Sequence, residues 1–234
     1  MQPTLVIFVK APMAGRVKTR LCPPLTSFQA ATLYRAFAKD TLALACRVRS
    51  HAPVVCHVAY EPHAAAPDPS WLGNGFAWSC QRGTALGARL THAVAEAFAR
   101  GADPLVIIGS DTPDLPPERI AEAFDALRRH QLVMGPASDG GYYLIGLRRP
   151  LPRLFQAVEW STPRVFAQTL ARAADLHVTV AQLPPRRDLD TWADVAAWRR
   201  TAASRAAVHT RRRLAAWVRR GRLSAAAARG TVRR

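Results

Sequence analysis

The sequence predicts an α/β fold in which helices cover both faces of one mostly parallel sheet. Two observations support this prediction. Short apolar runs bounded by turn residues alternate with longer segments of helical period, as in repeated strand–helix–strand units. In addition, 234 residues are enough for one domain with a sizeable core and few for two.

The first half of the chain alternates four predicted strands with two predicted helices. The strands cover residues 5–9, 54–60, 76–81 and 105–108. The first helix covers 27–47, and Thr26 or Ser27 is suited to cap its first turn. The second helix covers 86–100 and ends at Gly101, a residue type that is common just after helix C-termini.

The second half continues the same alternation. Helices are predicted over 117–130, 163–174 and 191–200, and strands over 132–135, 142–147 and 177–182. Pro117 suits the first turn of its helix, because the missing N–H would have no partner there. The strands 132–135 and 142–147 lie on either side of a predicted turn at 139–141.

The formal net charge of +17 is concentrated near the C-terminus. Twelve of the 33 basic residues lie between Arg199 and Arg234, a stretch without Asp or Glu. We therefore expect a domain over residues 1–200 and an Arg-rich tail over 201–234. Within the tail, one face of a short helix is predicted to carry Leu214, Trp217 and Val218, and the rest is expected to be flexible. Such a tail can bind nucleic acid non-specifically, although blocks of like charge are usually solvated.

Other features exclude several classes of protein. No stretch reaches the roughly 18 apolar residues of a membrane span. The apolar run at 4–9 is too short for a secretory signal, so a cytoplasmic location is expected. The four cysteines are widely spaced and form no C-x-x-C pair, so neither a metal site nor a disulfide is expected from them.

The segment 10–21, directly after the first strand, has the composition of a phosphate-binding loop. Ligands of open α/β sheets bind at the carboxyl ends of strands. The segment holds four cations, namely Lys10, Arg16, Lys18 and Arg20. Several cations beside a flexible glycine, Gly15, suit a polyphosphate. Pro12 and Val17 stand where a Walker A loop needs glycine, so that motif is excluded, and a solvated basic loop is the alternative.

Acidic residues follow two later strands. Asp111 comes directly after the strand at 105–108 and is a candidate ligand for Mg²⁺, which uses one or two carboxylates plus substrate phosphates. The alternative for Asp111 is a turn or helix cap, and Asp114 is either its partner or a cap. Asp188 and Asp190 follow the last strand as candidates for a second metal ligand. The alternative in this segment is helix capping by Thr191 and Asp194.

The segment 135–146 contains the glycine pair Gly140-Gly141 between two apolar strands. Paired glycines predict either a tight hairpin turn or a backbone edge that a ligand approaches closely. Tyr142 or Tyr143 is able to stack on a ring, although an aromatic residue in a strand more often belongs to the core.

Together these segments resemble the DUF2064 family over about residues 4–198. The resemblance rests on residues 10–21, Gly109-Ser110-Asp111-x-Pro113, residues 139–146 and Asp188-x-Asp190-Thr191. Members of the family are named glycosyltransferase-like, or transferase 1 of the radical-SAM/selenodomain-associated group. The family belongs to the nucleotide-diphospho-sugar transferase superfamily, which has the Rossmann-like GT-A fold. The first loop is also similar to that of 2-phospholactate guanylyltransferases.

The resemblance implies roles for particular residues. The residues implied to bind the nucleotide and its phosphates are Lys10, Pro12, Gly15, Arg16, Lys18, Arg20, Gln81, Gly87 and Arg89. The catalytic residues that the resemblance implies are Lys18, Arg20 and Asp111. Of these, Asp111 is implied to coordinate Mg²⁺ or Mn²⁺. It places Asp139, Gly140, Gly141 and Tyr142 on the substrate side. The literal D-x-D of the superfamily is absent, because Thr112-Pro113 follows Asp111, so Asp188 or Asp190 is expected to complete the metal site.

The expected function is therefore a Mg²⁺-dependent transferase that uses a nucleotide-activated donor and a small acceptor. The family name favours transfer of a sugar. The cation density of the first loop favours the alternative, in which a nucleotidyltransferase releases pyrophosphate from a triphosphate. A nucleic-acid-binding module acting through the tail and a ligand-binding relative without turnover are further alternatives.

Overall fold

The computed structural model describes residues 2–201, 206–221 and 223. The strands are β1 (Gln2–Lys10), β2 (Val55–Glu61), β3 (Ala77–Cys80), β4 (Ala102–Ile108), β5 (Leu132–Pro136), β6 (Tyr142–Leu147) and β7 (Val180–Gln182). The helices are α1 (Ser27–His51), α2 (Leu86–Ala99), α3 (Pro117–Ala126), α4 (Val165–Asp175), α5 (Trp192–Thr201) and α6 (Val208–Arg219). Short 3₁₀ turns occupy Thr19–Leu21, Ser70–Leu72 and Pro152–Phe155.

The strands form one sheet in the order β3-β2-β1-β4-β6-β5-β7. Ile7 in the centre of β1 pairs with Val58 of β2 and Ile108 of β4, and these contacts are parallel. Only β6 runs against its neighbours β4 and β5. The predicted mostly parallel sheet is confirmed. The parallel arrangement brings the carboxyl ends of β1, β2 and β4 to one edge.

Helices cover both faces of the sheet, as predicted. Leu44 of α1 and Ile120 of α3 join the apolar cluster on one face. Leu90 of α2 and Ala173 of α4 belong to the cluster on the other face. Burial of apolar area on two faces explains why the strands are continuous apolar runs rather than alternating ones.

The ends of several elements are set by local hydrogen bonds. Thr26 caps α1 through a reciprocal pair of bonds with Gln29, as the sequence predicts. Helix α3 ends at Ala126, not near His130, because the chain tightens into i→i+3 bonds such as Arg128 N to Asp125 O at 3.1 Å. The last strand begins at Val180 rather than at 177, because His177 has a positive φ of 52° and closes the turn after α4.

Part of the Arg-rich tail packs on the body of the molecule. Leu214 and Trp217 of α6 are buried in an apolar cluster with Phe37 of α1, as expected for one helix face. Val218 is 39% exposed, so its predicted place on that face is wrong. The prediction that the rest of the tail is flexible falls on residues 202–205, 222 and 224–234, which lie outside the described part of the chain. The domain boundary near residue 200 stays a prediction.

In the part of the chain that the structure describes, no helix combines the length and apolar character of a membrane span.

Candidate functional site

A cleft of about 680 Å³ opens at the edge of the sheet where β1, β2 and β4 end. Several residues singled out in the sequence line it near the ends of β1 and β4 and on β6, namely Lys10, Arg16, Lys18, Arg20, Asp111, Tyr142, Tyr143 and Asp190. Gln81 and Arg89, at the end of β3 and in α2, line its other side. The structure therefore brings the residues of these strand ends to one pocket, and their roles there stay predictions.

Tyr34 of α1 joins the ends of β1 and β4. Its hydroxyl accepts a hydrogen bond from the Lys10 backbone N–H at 2.7 Å and lies 2.9 Å from the Ser110 hydroxyl. Burial raises the pKa of Tyr34 well above its ordinary value, and the negative charge of Asp111 adds to the effect, so the hydroxyl stays neutral. Tyr34 thereby fixes the spacing between the basic loop and the acidic strand end.

The ammonium of Lys18 lies between two carboxylates. Its Nζ is 2.7 Å from Asp111 Oδ1 and 2.6 Å from Asp190 Oδ1. Lys18 has a left-handed backbone conformation with φ of 51°, and its side chain is only 5% exposed. Burial alone would lower the pKa of Lys18, but Asp111 and Asp190 outweigh burial and raise it, so the ammonium is retained.

The two carboxylates are more open to solvent than the lysine that joins them. The Asp111 side chain is 45% exposed and that of Asp190 is 25% exposed. Arg20 lies 3.7 Å from the second oxygen of Asp190. Because two carboxylates already contact the Lys18 ammonium, its predicted contact with phosphate stays a prediction. Arg16 and Arg20 are exposed and line the cleft, although Arg20 also forms the long contact with Asp190.

Asp188 lies behind the cleft rather than in it. Its Oδ1 accepts a hydrogen bond from the Thr112 hydroxyl, and the neighbouring Leu189 N–H donates to Asp111 O at 2.9 Å. Burial, reinforced by the charge of Asp111, raises the pKa of Asp188 to about 7. Of the two candidates for a second metal ligand, Asp190 therefore lines the cleft and Asp188 does not.

Three further acidic or polar residues near these strand ends have structural partners. Asp114 pairs with Arg186 at 3.3 Å and does not cap α3, whose N-cap is Pro116. Thr191 and Asp194 hydrogen-bond reciprocally before α5, with Asp194 Oδ2 accepting from Thr191 N at 2.8 Å and Thr191 Oγ1 accepting from Asp194 N at 3.2 Å. The capping alternative is therefore correct for Thr191 and Asp194, while Asp190 remains available to the cleft.

The far side of the cleft is built on Gln81, Arg89 and Glu61. Gln81 donates to Ala59 O at 2.8 Å, and Arg89 pairs with Glu61 at 2.7 Å. Sequence reasoning missed Glu61, although it is the last residue of β2 and the rule about strand ends would have found it. Gly87 does not line the cleft, because it lies against Trp160, where an added Cβ would meet the indole Nε1 at 2.5 Å.

The residues predicted on the substrate side divide into two groups. Asp139, Gly140 and Gly141 form a tight turn outside the cleft, in which Asp139 Oδ1 accepts from Gly141 N at 2.9 Å. Tyr142 lines the cleft and lies edge-on to Trp160, with ring centroids 6.5 Å apart. The hairpin alternative thus accounts for the glycine pair, and no pattern in the sequence marks Trp160.

Pro12 and Gly15 shape the basic loop without lining the cleft. Gly15 has a φ of 76°, a conformation that favours glycine and lets the chain turn back toward β1. The hydrogen bond from Arg16 N to Met13 O, 3.0 Å long, closes this turn. The structure shows their part in the shape of the loop, and their predicted contact with a nucleotide stays a prediction.

The donor set of the cleft fits a divalent cation of the Mg²⁺ type. Within the described residues, no group of three or more His, Cys, Asp and Glu side chains is arranged to hold a metal ion. Mg²⁺, however, needs only one or two carboxylates together with waters and substrate phosphates. Asp111 and Asp190, which both contact Lys18 through Oδ1, would supply two hard oxygen ligands from the open side of the cleft.

Comparisons with known proteins agree with this geometry. Residues 41–162 match the family described as "Uncharacterized protein conserved in bacteria (DUF2064)". A candidate nucleotide-diphospho-sugar transferase from Desulfovibrio desulfuricans G20 has 34% sequence identity and a TM-score of 0.82 over 94% of this chain and 98% of that one. No curated protein matches the sequence.

Two more distant structures share the fold. The 4-diphosphocytidyl-2C-methyl-D-erythritol synthase from Anaerococcus prevotii DSM 20548 has 11% identity and a TM-score of 0.55, over 82% of this chain and 95% of its own. Rv0371c from Mycobacterium tuberculosis H37Rv has 16% identity and a TM-score of 0.54, over 86% of this chain and 100% of its own. The predicted Rossmann-like GT-A fold class is confirmed, and the comparisons agree with the predicted class of enzyme, a transferase.

Proposed function

The chain belongs to the DUF2064 family, and on that premise we propose that it is a Mg²⁺-dependent transferase whose donor is a nucleotide-activated sugar. The relative from Desulfovibrio desulfuricans supports the transferase class and the sugar nucleotide as donor. The observation that carries the proposal is the meeting of Lys18, Asp111 and Asp190 at the mouth of the cleft, beside the basic loop.

The cleft residues have complementary tasks in this proposal. Arg16, Arg20 and Lys10 offset the negative charge of a diphosphate, which grows on the leaving group as the bond to the sugar breaks. Asp111 and Asp190 hold the cation, which when bound supplies positive charge to the phosphate oxygens. Lys18 keeps these two carboxylates 2.6–2.7 Å from its ammonium and so fixes their positions before a donor enters.

A nucleotidyl transfer is the second candidate, because Lys10, Arg16 and Arg20, the exposed cations of the loop, would also offset the charge of a triphosphate. In that reaction an acceptor phosphate attacks the α-phosphorus of a nucleoside triphosphate, and pyrophosphate leaves. The same residues bind the phosphates in either case. The two reactions differ in the group that is released, a nucleoside diphosphate or pyrophosphate.

The test is a donor assay on the full chain with MgCl₂. Each common sugar nucleotide and each nucleoside triphosphate is incubated with the protein, and release of nucleoside diphosphate and of pyrophosphate is measured. Release of nucleoside diphosphate supports sugar transfer, and release of pyrophosphate supports the second candidate. A thermal-shift titration runs in parallel, because a ligand that binds the native state raises its stability. Water is the only acceptor in this assay, so binding of a donor without release of either product would exclude donor hydrolysis and leave the donor-binding part of the proposal standing.

Asp111→Asn should lower turnover at least about a hundredfold, the usual effect of removing one charge-stabilising contact. The matched control is Asp114→Asn, which removes a carboxylate that is paired with Arg186 outside the cleft. Near-normal turnover in Asp111→Asn, measured as kcat and KM for the donor, would contradict the proposed role of this carboxylate.

A further inference from the structure

A single buried carboxylate fixes α6 to the body of the molecule. Asp40 of α1 is 3% exposed, and its two oxygens accept hydrogen bonds from the backbone N–H groups of His209 and Thr210, each at 2.8 Å. The Thr210 hydroxyl also donates to Asp40 at 2.6 Å. The first N–H groups of a helix have no partner within the helix, and a negative charge at that end is favourable, so this contact holds the start of α6 in place.

Docking buries the two largest apolar side chains of α6. Leu214 and Trp217 are buried in the cluster formed with α1 and α5. The guanidinium of Arg211 lies 4.6 Å from the ring of Trp198. The side of α6 that faces solvent is therefore held in a defined orientation, which a free tail would not have.

That outer side carries four exposed arginines, Arg212, Arg213, Arg219 and Arg220. They form two pairs seven residues apart, which is two helical turns or about 10.5 Å along the axis. At 100° per residue, all four fall on one side of the helix, away from Leu214. No ion pair found within the described residues involves any of the four.

The sequence around this face adds positive charge and no negative charge. Four more arginines follow in the sequence, Arg222, Arg229, Arg233 and Arg234, and the chain holds no Asp or Glu after Asp194. Between the arginine pairs lie Ala215 and Ala216, and two large apolar side chains of α6, Val208 and Val218, are also exposed. A helix that lies in a membrane surface presents large apolar side chains there. Two separate valines are little apolar area for such a helix, whereas four arginines offer a dense positive charge, so a partner for this face needs a dense negative charge above all.

We propose that the exposed arginine face of α6, defined by Arg212, Arg213, Arg219 and Arg220, binds the phosphodiester backbone of a nucleic acid without reading its sequence. Guanidinium groups form paired hydrogen bonds with phosphate oxygens, and the charge complementarity is independent of base identity. The surface is separate from the cleft, so this binding does not depend on the proposed transferase activity.

The test is a fluorescence-anisotropy titration of the full chain with a labelled 20-base-pair duplex of random sequence, from 50 to 200 mM NaCl. For a backbone contact, log K falls linearly with log[NaCl], by about 0.9 for each phosphate neutralised on duplex DNA. The variant Arg212→Ala/Arg213→Ala/Arg219→Ala/Arg220→Ala should show a slope that is shallower by about 3 to 4. Its affinity at 50 mM NaCl should fall at least about tenfold.

The matched control is Arg128→Ala/Arg129→Ala/Arg148→Ala/Arg149→Ala. It removes four exposed arginines outside α6 and has the same net charge as the fourfold α6 variant. This control should bind like the unmodified chain. Equal weakening in both variants would overturn the proposal, because binding would then follow net charge and not this face. Circular dichroism melting checks that both variants are folded.

Two further arms identify the ligand. Single-stranded poly(U) RNA replaces the duplex in one arm. Binding to either nucleic acid that is tighter than binding to the vesicles described next supports the proposal, since both nucleic acids present phosphodiesters. Vesicles containing phosphatidylserine are used in the other arm. Tighter binding to vesicles than to both nucleic acids at the same ionic strength would overturn it, as would no measurable binding of either nucleic acid at 50 mM NaCl.

Discussion

Lys18 is the residue on which the charge balance of the cleft depends. Its ammonium contacts two carboxylates at once, which leaves the three groups with one net negative charge, and burial leaves it no other partner of similar strength. A lysine in such a place is stable only because the attraction of both acids exceeds the cost of removing the ammonium from water. The same balance keeps Asp111 and Asp190 close together despite their like charge.

Lys18→Met should therefore lower the free energy of unfolding by about 2–4 kcal/mol. Removing one partner of a buried ion pair costs about 3–5 kcal/mol, and the partial exposure of Asp111 and Asp190 reduces that figure. The double variant Lys18→Met/Asp190→Asn should recover part of the loss, because it removes one of the two repelling charges. Urea unfolding of the single and double variants forms a double-mutant cycle. Strictly additive effects would contradict the coupling.

Elements with a strong local signal were predictable, and contacts between distant segments were not. The strand at 142–147 is found at its predicted bounds, because burial on both faces requires a continuous apolar run. The contact of Asp40 with the first turn of α6 joins residues about 170 positions apart, and no local pattern marks it. Local patterns thus defined the elements, while the anchoring of α6 depends on tertiary structure.

The candidate site shows the same division. The rule that ligands bind at strand ends located Lys18, Asp111 and Asp190 without any structural information. It could not separate Asp190, which lines the cleft, from Asp188, which lies behind it, because the two are only two residues apart on one extended segment. That separation depends on the hydrogen bond between Thr112 and Asp188, a contact between segments.

At the scale of elements, Gly140 connects the β5–β6 hairpin to the start of α4. It has a φ of 88°, its O accepts from Phe166 N at 2.8 Å, and an added Cβ would lie 2.1 Å from Pro163 O. A backbone oxygen cannot move aside as a flexible side chain can. The glycine is therefore required by packing between these elements, which explains it without a ligand.

Gly140→Ala should lower the free energy of unfolding by at least about 3 kcal/mol, from about 1–2 kcal/mol of left-handed strain plus the cost of overpacking. Gly101→Ala is a matched control, because its φ is 90° and nothing lies within 4 Å of the added Cβ. That control carries only the strain and should lose about 1–2 kcal/mol. Similar losses in the two variants, measured by urea unfolding, would show that the contact with Pro163 is not close.

At the scale of the whole molecule, the basic groups of the cleft and those of α6 have different surroundings. In the cleft, cations lie beside Asp111 and Asp190, so a ligand there meets both signs of charge. On the outer side of α6 the arginines have no neighbouring acid in sequence. The first arrangement suits a metal-bound phosphate, and the second suits a polyanion alone.

The same view of the whole molecule predicts that the tail is not dispensable for stability. Leu214, Trp217 and Leu223 are buried in one cluster with residues of α1 and α5. Burying a large apolar side chain contributes about 1.5–3 kcal/mol, so losing these three contacts should cost about 4–7 kcal/mol. For a protein of this size, each kcal/mol corresponds to about 2–4 °C in Tm.

A chain ending at Arg200 should therefore melt about 10–20 °C below the full chain, because it also leaves the buried Asp40 without its helix partners. A chain ending at Leu223 keeps α6 and should melt close to the full chain, which separates the effect of docking from the loss of the last residues. If the chain ending at Arg200 melted with the full chain by calorimetry, the compact domain would end near residue 200 and the contacts of α6 would contribute little.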